Sequence, residues 1–233
     1  MRKFFITDIH GDYKGLNKLL SFVKFNPQYD QLTVGGDMID RGKDSAKVVK
    51  SIKDLCDNYP DKVQAVMGNH EEMMKWYLAG QSRMWLIHGG AEAIQSFTKE
   101  FSNQDDLKIH LDWAVNLPLY LQDDSFTYTH AGINPTHSLE EQSREVLWLT
   151  EREFYQFSKS SLLKLTMHKP IIHGHTPVER IIFDGSRMNC DLGSETYPII
   201  HERGLGLVEL NTMEYYVYKS VDQVISKYKI SMY

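Results

Sequence analysis

Five short segments concentrate aspartate, histidine, asparagine and arginine beside glycine. They are Asp8-Ile9-His10-Gly11, Gly35-Gly36-Asp37-Met38-Ile39-Asp40-Arg41-Gly42, Gly68-Asn69-His70-Glu71, Thr129-His130-Ala131-Gly132 and His173-Gly174-His175-Thr176-Pro177. Carboxylate and amide oxygens with imidazole nitrogens, and no thiolate among them, form a donor set for divalent cations. In extended chain, residues i and i+2 project to one side, so Asp8 and His10 can reach one cation while Ile9 turns inward; a charged loop end with a helix-capping Asp would read the same. Asp37 has two oxygens and can bridge two metals, and its glycine neighbours let the backbone approach an ion. Asp40 and Arg41 follow one turn later, suited to orienting a catalytic group and gripping phosphate. Asn69 offers a neutral carbonyl oxygen, although Asn is equally a frequent N-cap. His70 is placed to act on a leaving group, and Glu71 suits a helix N-terminus. A lone strand-end histidine is more often structural than a ligand; His130 and His175 gain weight from the acidic and amide-rich segments that accompany them.

Each segment follows an expected strand, and ligands of α/β sheets gather at the carboxyl ends of strands. Lys3 to Ile9, Gln31 to Gly35 and Lys62 to Met67 read as strands, alternating with helical spacing over Asp12 to Phe25, Asp44 to Tyr59 and His70 to Leu78. That alternation implies a parallel sheet with helical crossovers. Residues 81 to 116 read as mostly helical, with Met84-Trp85-Leu86-Ile87 assigned mainly to the core. Thereafter short strands dominate, at Leu119 to Leu121, Phe126 to Thr129, Pro170 to His173, Arg180 to Phe183, Met188 to Cys190, Leu205 to Leu210 and Tyr215 to Tyr218. The expectation is an α/β fold of two mixed sheets packed face to face with helices outside. With no internal repeat, low-complexity run or linker-like break, residues 1–233 read as one domain.

The 233 residues suffice for one sizeable core. Hydrophobic residues at 42 % and charged residues at 24 % are ordinary for a globular chain. A net charge of -5 argues against a nucleic-acid polymer as partner, which asks for a basic face, but allows small or peptide phosphoesters once a metal offsets local charge. No stretch is long and apolar enough to span a bilayer. The two cysteines, Cys56 and Cys190, form no CxxC pair, and reduced thiols in a cytoplasmic protein are expected.

Taken in order, DIHG, GGDMIDRG, GNHE, THAG and GHT resemble the phosphoprotein phosphatase family of metallophosphoesterases, its short bacterial and phage members above all. Symmetrical diadenosine tetraphosphatases are close relatives. The motifs run from Asp8 to Thr176, with a further family-like stretch at Asn189-Cys190-Asp191-Leu192-Gly193. The resemblance implies the four-layer calcineurin-like fold and two divalent cations, manganese by preference with iron or zinc as other candidates. Asp8 and His10 would ligate the first metal, Asp37 would bridge, and Asn69, His130 and His175 would ligate the second. His70 would be the general acid, held by Asp40, and Arg41 would bind phosphate; His173 falls off the ligand position. The reaction implied is hydrolysis of phosphomonoesters by in-line attack of a metal-bridging hydroxide, with serine/threonine protein phosphatase first and symmetrical diadenosine tetraphosphate hydrolase as the alternative. A phosphorylated protein or a small phosphoester or nucleotide would then be the partner.

Two departures stand out. Relatives often carry a second phosphate-binding arginine just after a Leu-Trp pair, whereas Leu147-Trp148 is followed by Leu149 and Thr150. Arg152 is the first candidate for that role and Arg144 the second. His88-Gly89-Gly90 replaces a segment in which relatives often show Asn, and is expected to be a loop. A binding module that had lost catalysis would lack a ligand or the acid; here the six ligand positions and His70 are intact.

Overall fold

The computed structural model describes residues 1–233. In chain order its strands are β1 (Lys3–Ile6), β2 (Gln31–Val34), β3 (Val63–Ala65), β4 (Tyr120–Gln122), β5 (Thr127–Thr129), β6 (Ile171–His173), β7 (Ile182–Phe183), β8 (Arg187–Asn189), β9 (Leu205–Glu209), β10 (Glu214–Lys219), β11 (Val224–Lys229) and β12 (Ser231–Met232). The helices are α1 (Tyr13–Phe22), α2 (Ser45–Asn58), α3 (Asn69–Leu78), α4 (Ala91–Glu100), α5 (Gln104–Ala114), α6 (Glu151–Phe154) and α7 (Lys159–Leu165).

Two mixed sheets result. One has the order β11-β10-β9-β1-β2-β3, the other β12-β7-β8-β6-β5-β4. β1, β2 and β3 run parallel, in the register Phe4 to Leu32 and Leu32 to Val63, as helical crossovers demand. Period-2 alternation in β1 explains the layering. Phe4 and Ile6 join the core beneath α1 and α2, built around Leu16, Leu19, Val48 and Ile52. Phe5 points the other way, into the layer between the sheets, with Tyr128, Ile172, Met188 and Val208. A third cluster, Phe154, Leu162 and Ile171 among it, covers the outer face of the second sheet under α6 and α7. Helices, sheet, sheet, helices: the α/β sandwich expected from the pattern is present.

The strands that position the site are shorter than their apolar runs, because the chain leaves the sheet where the polar segments begin. Three features differ from the sequence reading. β11 and β12 carry mostly exposed side chains at sheet edges, so no apolar alternation marks them. The short helices α6 and α7 give too few turns for a periodic signal. Of the apolar run 84 to 87, Trp85 is buried but Ile87 is 82 % exposed, just before a kink at His88 and Gly89 (φ 108). Cys56 and Cys190 are both free, and no helix is long and apolar enough to cross a membrane.

The inter-sheet layer generates a test. Phe5 is fully buried and stacks on Tyr128 with ring centroids 5.9 Å apart. Phe5→Ala should cost about 3–5 kcal/mol of unfolding free energy, as aromatic truncations in well-packed cores do. Denaturant unfolding measures it, and a loss below about 1 kcal/mol would mean that the layer collapses around the gap.

Candidate metal centre

The five polar segments leave the ends of β1, β2, β3, β5 and β6 and meet above the seam of the two sheets. Main-chain hydrogen bonds lace them together: Asp8 N to Gly36 O at 3.1 Å, His10 N to Asp37 O at 2.9 Å and Gly174 N to His130 O at 2.7 Å. The local conformation is costly. Asp8, His10, Asp37, Asp40, Arg41 and His175 all have left-handed φ, between 44° and 78°. Asp and His tolerate that region better than other residues, Arg less so, and such strain clusters where a structure needs side chains aimed at one point. Close approach adds to it. A Cβ on Gly68 would lie 2.1 Å from Asp37 Oδ1, and one on Gly89 would lie 2.6 Å from Arg41 N.

Two groups of donor atoms share Asp37. Ligand atoms of Asp37, His130 and His175 lie within 4.8 Å of one another, and so do those of His10, Asp37 and His70. In the first group Asn69 Oδ1, His130 Nε2 and His175 Nδ1 form a triangle with sides of 3.0, 3.1 and 3.0 Å. His130 Nδ1 donates to Gly35 O at 2.9 Å, which leaves Nε2 with a lone pair aimed into the triangle. His10 repeats the device, with Nδ1 donating to Ile39 O at 2.9 Å and Nε2 turned to Asp37. Three electron-rich atoms this close, with at most one proton to share, fit a cation better than they fit one another. Asp8 stands alongside; its Oδ2 accepts from Thr7 Oγ1 at 2.6 Å and from His175 N at 3.0 Å.

The other side of the crevice is built on Asp40. Its carboxylate is fully buried, lies 2.5 Å from His70 Nδ1 and accepts the Trp85 indole N–H at 2.9 Å. His70 Nε2 therefore faces the crevice. Arg41 lies across the mouth, with Nη1 2.5 Å from His10 Nε2 and 2.5 Å from Thr196 Oγ1, and Nη2 3.2 Å from His70 Nε2.

Burial governs the charges. It pushes Asp40 up to about 8 and lowers His70 to about 4, each toward its neutral form. Burial also raises Asp37 to about 7, with the Asp8 carboxylate adding to it and His70 opposing. Glu71, buried beside Asp37, is pushed up to about 7 as well, and Asp191 rises for the same two reasons, burial and Asp8. The imidazoles go the other way: burial holds His10 well below its ordinary value and takes His175 down to about 2. Imidazoles kept neutral are in the form that binds a cation, and the raised carboxyls are groups whose charge a cation would offset.

Glu71 sets the geometry. Its carboxylate accepts from Asp37 N, Met38 N and Gly68 N, each at 2.9 Å, and so joins the β2 loop to the start of α3. The structure does not bring every candidate to the centre. Arg152 is exposed in α6 and makes no hydrogen bond, although the helix's first amide is tied to Thr176 Oγ1 at 3.2 Å. Arg144 is engaged by Glu72. His173 packs edge-on against Phe154 at 5.0 Å, and burial lowers it to about 3. His88 is exposed. Sequence reasoning missed Trp85 as a partner of Asp40 and Thr196 as a partner of Arg41. Neither carries a spacing signal, since Trp85 reaches Asp40 across 45 residues and Thr196 reaches Arg41 across 155.

Comparison with known proteins agrees with this geometry. A family model described as calcineurin-like phosphoesterase matches residues 1–207. A symmetrical bis(5'-nucleosyl)-tetraphosphatase from a Shewanella species is 31 % identical over 149 residues, 62 % of this chain and 49 % of that protein. One of the same name from Vibrio parahaemolyticus is 27 % identical over 206 residues, 82 % of this chain and 72 % of that protein. The match to the Shewanella relative thus spans about half of its length. In fold the chain is similar to a protein serine/threonine phosphatase from Saccharomyces cerevisiae, with a TM-score of 0.64 at 16 % identity, covering 100 % of this chain and 81 % of that one.

Two substitutions separate scaffold from acid-base machinery. Glu71→Gln puts an amide N–H₂ among backbone donors, and should cost about 1–3 kcal/mol together with bound metal. Trp85→Phe keeps the ring and removes the N–H that Asp40 accepts. It should keep its metal content but lose roughly tenfold in kcat, as expected of a group that steadies a general acid. Metal analysis and steady-state kinetics on both variants decide; a Trp85→Phe protein whose activity falls only in proportion to lost metal would contradict the role given to Asp40.

Proposed function

The chain belongs to the calcineurin-like phosphoesterase family, and from that premise we propose that it is a two-metal hydrolase whose substrate is a dinucleoside polyphosphate, diadenosine tetraphosphate cut symmetrically to two ADP. The observation that carries the metal reading is the triangle of Asn69 Oδ1, His130 Nε2 and His175 Nδ1 beside Asp37. In this reading Asp8, His10 and Asp37 hold one cation, and Asp37, Asn69, His130 and His175 hold the other. The donors, all oxygen and nitrogen, suit manganese, iron or zinc, and the resemblance to the family puts manganese first. Bound there, the cations supply Lewis acidity toward phosphoryl oxygen and water.

The chain's own residues do the rest. Arg41 donates from its fork to the phosphate and offsets charge that grows in the transition state. His70, steered by Asp40 through Nδ1, holds a proton on Nε2 for the departing oxygen. The strapped backbone of the β2 loop fixes Arg41 and Asp40 relative to Asp37 before substrate arrives. Arg152, exposed and unengaged in α6, takes no part in this reading. Residues 1–233 act as one catalytic domain.

For the substrate, the named relatives support the dinucleotide over a phosphoserine or phosphothreonine peptide, which the motifs alone put first. Chelator-stripped protein should be inactive on diadenosine tetraphosphate, and manganese should restore activity with ADP as the sole nucleotide product. Full activity without metal would refute the two-metal reading; efficient turnover of phosphopeptides with the dinucleotide left intact would return the protein phosphatase reading to first place.

The acid assignment has its own test. His70→Asn should retain both metals and lose about 10²–10⁴-fold on phenyl phosphate, whose leaving group needs a proton. The loss should shrink on p-nitrophenyl phosphate, whose leaving group is acidic. Equal impairment on both esters, with metal retained, would remove His70 from that role.

A further inference from the structure

Arg41 also lines a cavity of about 420 Å³ whose walls include none of the candidate metal ligands. The cavity thus borders the residue to which the phosphate contact is assigned. The N-terminal ends of α1 and α2 both reach it, through their N-cap residues Asp12 and Asp44. Helix N-termini present partial positive charge, and two of them meet here. Lys14, in the first turn of α1, and Lys43, just before α2, stand at the same two ends.

Charge pairing around the cavity is one-sided. Asp44 is engaged by Lys47 at 2.8 Å, Glu195 by Arg203 at 2.8 Å, and Asp12 by the amide of Gly15 at 2.8 Å. Lys14 and Lys43 are exposed and have no counter-ion. Tyr218, also in the wall, has a buried hydroxyl that no protein group engages. The cavity therefore offers two ammonium groups and a hydroxyl without partners, against one carboxylate, Asp12, that meets only a neutral amide.

We infer that this cavity is a subsite for the phosphate chain beyond the phosphate under attack, with Lys14 and Lys43 as the residues that select a polyphosphate over a simple monoester. The assignment rests on the nucleoside polyphosphate reading above and goes further, because it names the groups that favour it. A phosphomonoester reaches Arg41 and stops there. A polyphosphate passes Arg41 and meets two further ammonium groups and two helix ends. Charge-assisted hydrogen bonds of this kind are the strong ones, and because both lysines are exposed their contribution falls with ionic strength.

The variant is the double substitution Lys14→Ala with Lys43→Ala, two exposed positions outside the core. Two measurements are made on metal-loaded protein at fixed free manganese. In the first, kcat/KM for diadenosine tetraphosphate is divided by kcat/KM for p-nitrophenyl phosphate. The double variant should lower that ratio at least tenfold, mainly through KM for the dinucleotide, and should flatten its dependence on salt. In the second, calorimetry compares inorganic tripolyphosphate with orthophosphate. Tripolyphosphate should bind the unaltered protein at least tenfold more tightly, and that advantage should vanish in the variant. An advantage that persists in the variant, or that is absent from the unaltered protein, overturns the subsite. If the unaltered protein leaves diadenosine tetraphosphate uncut while the lysine-dependent advantage is present, the substrate reading fails and the subsite stands.

Discussion

The Glu71 carboxylate accepts the backbone N–H groups of Asp37, Met38 and Gly68, and much of the crevice takes its shape from those three bonds. A carboxylate placed there, where water does not reach, is costly in itself. It is tolerated because each N–H would otherwise be an orphan at a strand end or a helix start, and because α3 begins here with the positive end of its dipole. The outcome is that the β2 loop and α3 cannot move independently. Asp37 and Asn69, from one loop and the next, are held to one geometry, and His70 follows because its amide donates to Asp37 Oδ1 at 3.0 Å.

That strap lets the site collect unfavourable features that would disperse elsewhere. Six of its residues have left-handed backbone, and at least four carboxyl groups, of Asp8, Asp37, Glu71 and Asp191, are buried near one another. Each feature opposes folding on its own. Two sheets with a layered core on both faces supply the opposing stability. The arrangement is therefore one that an incoming cation relieves rather than distorts, since charge compensation is what the crevice lacks.

Much of this was legible in the sequence because the signals are local. A polar, glycine-bearing segment at the end of an apolar run marks a strand end with candidate donors, so Asp8, Asp37, Asn69, His130 and His175 could be picked out without knowing how the strands pair, and the fold brings Asp37, Asn69, His130 and His175 together. The parallel order of β1, β2 and β3 followed from alternating periods of 2 and 3.6 residues. What stayed hidden depends on long-range contact. Trp85 looked like an ordinary core aromatic, and it is one, but its N–H also meets Asp40. Thr196 lies in an irregular stretch whose relation to Arg41 exists only after β9 has returned beside β1. The edge strands β11 and β12 are stabilised by backbone pairing, which leaves no side-chain pattern to read.

The same division explains why reaction and substrate differ in how they can be read. In the proposed reading the donor atoms around Asp37 would act on phosphorus and its oxygens, which every phosphoester shares, so their spacing is confined to a few motifs. Discrimination among phosphoesters falls to groups farther out, where many sequences present a cation or a ring at a suitable distance. Arg41 marks the boundary between the two regimes. On one side it touches His10 and His70; on the other it borders the cavity at the starts of α1 and α2. Its left-handed backbone, with Gly89 close enough to exclude a Cβ, fixes where the guanidinium begins its reach. In the proposed reading, a substrate that extends past the attacked phosphate passes this side chain. The direction it takes is set by the fold of the first helices, not by the metals.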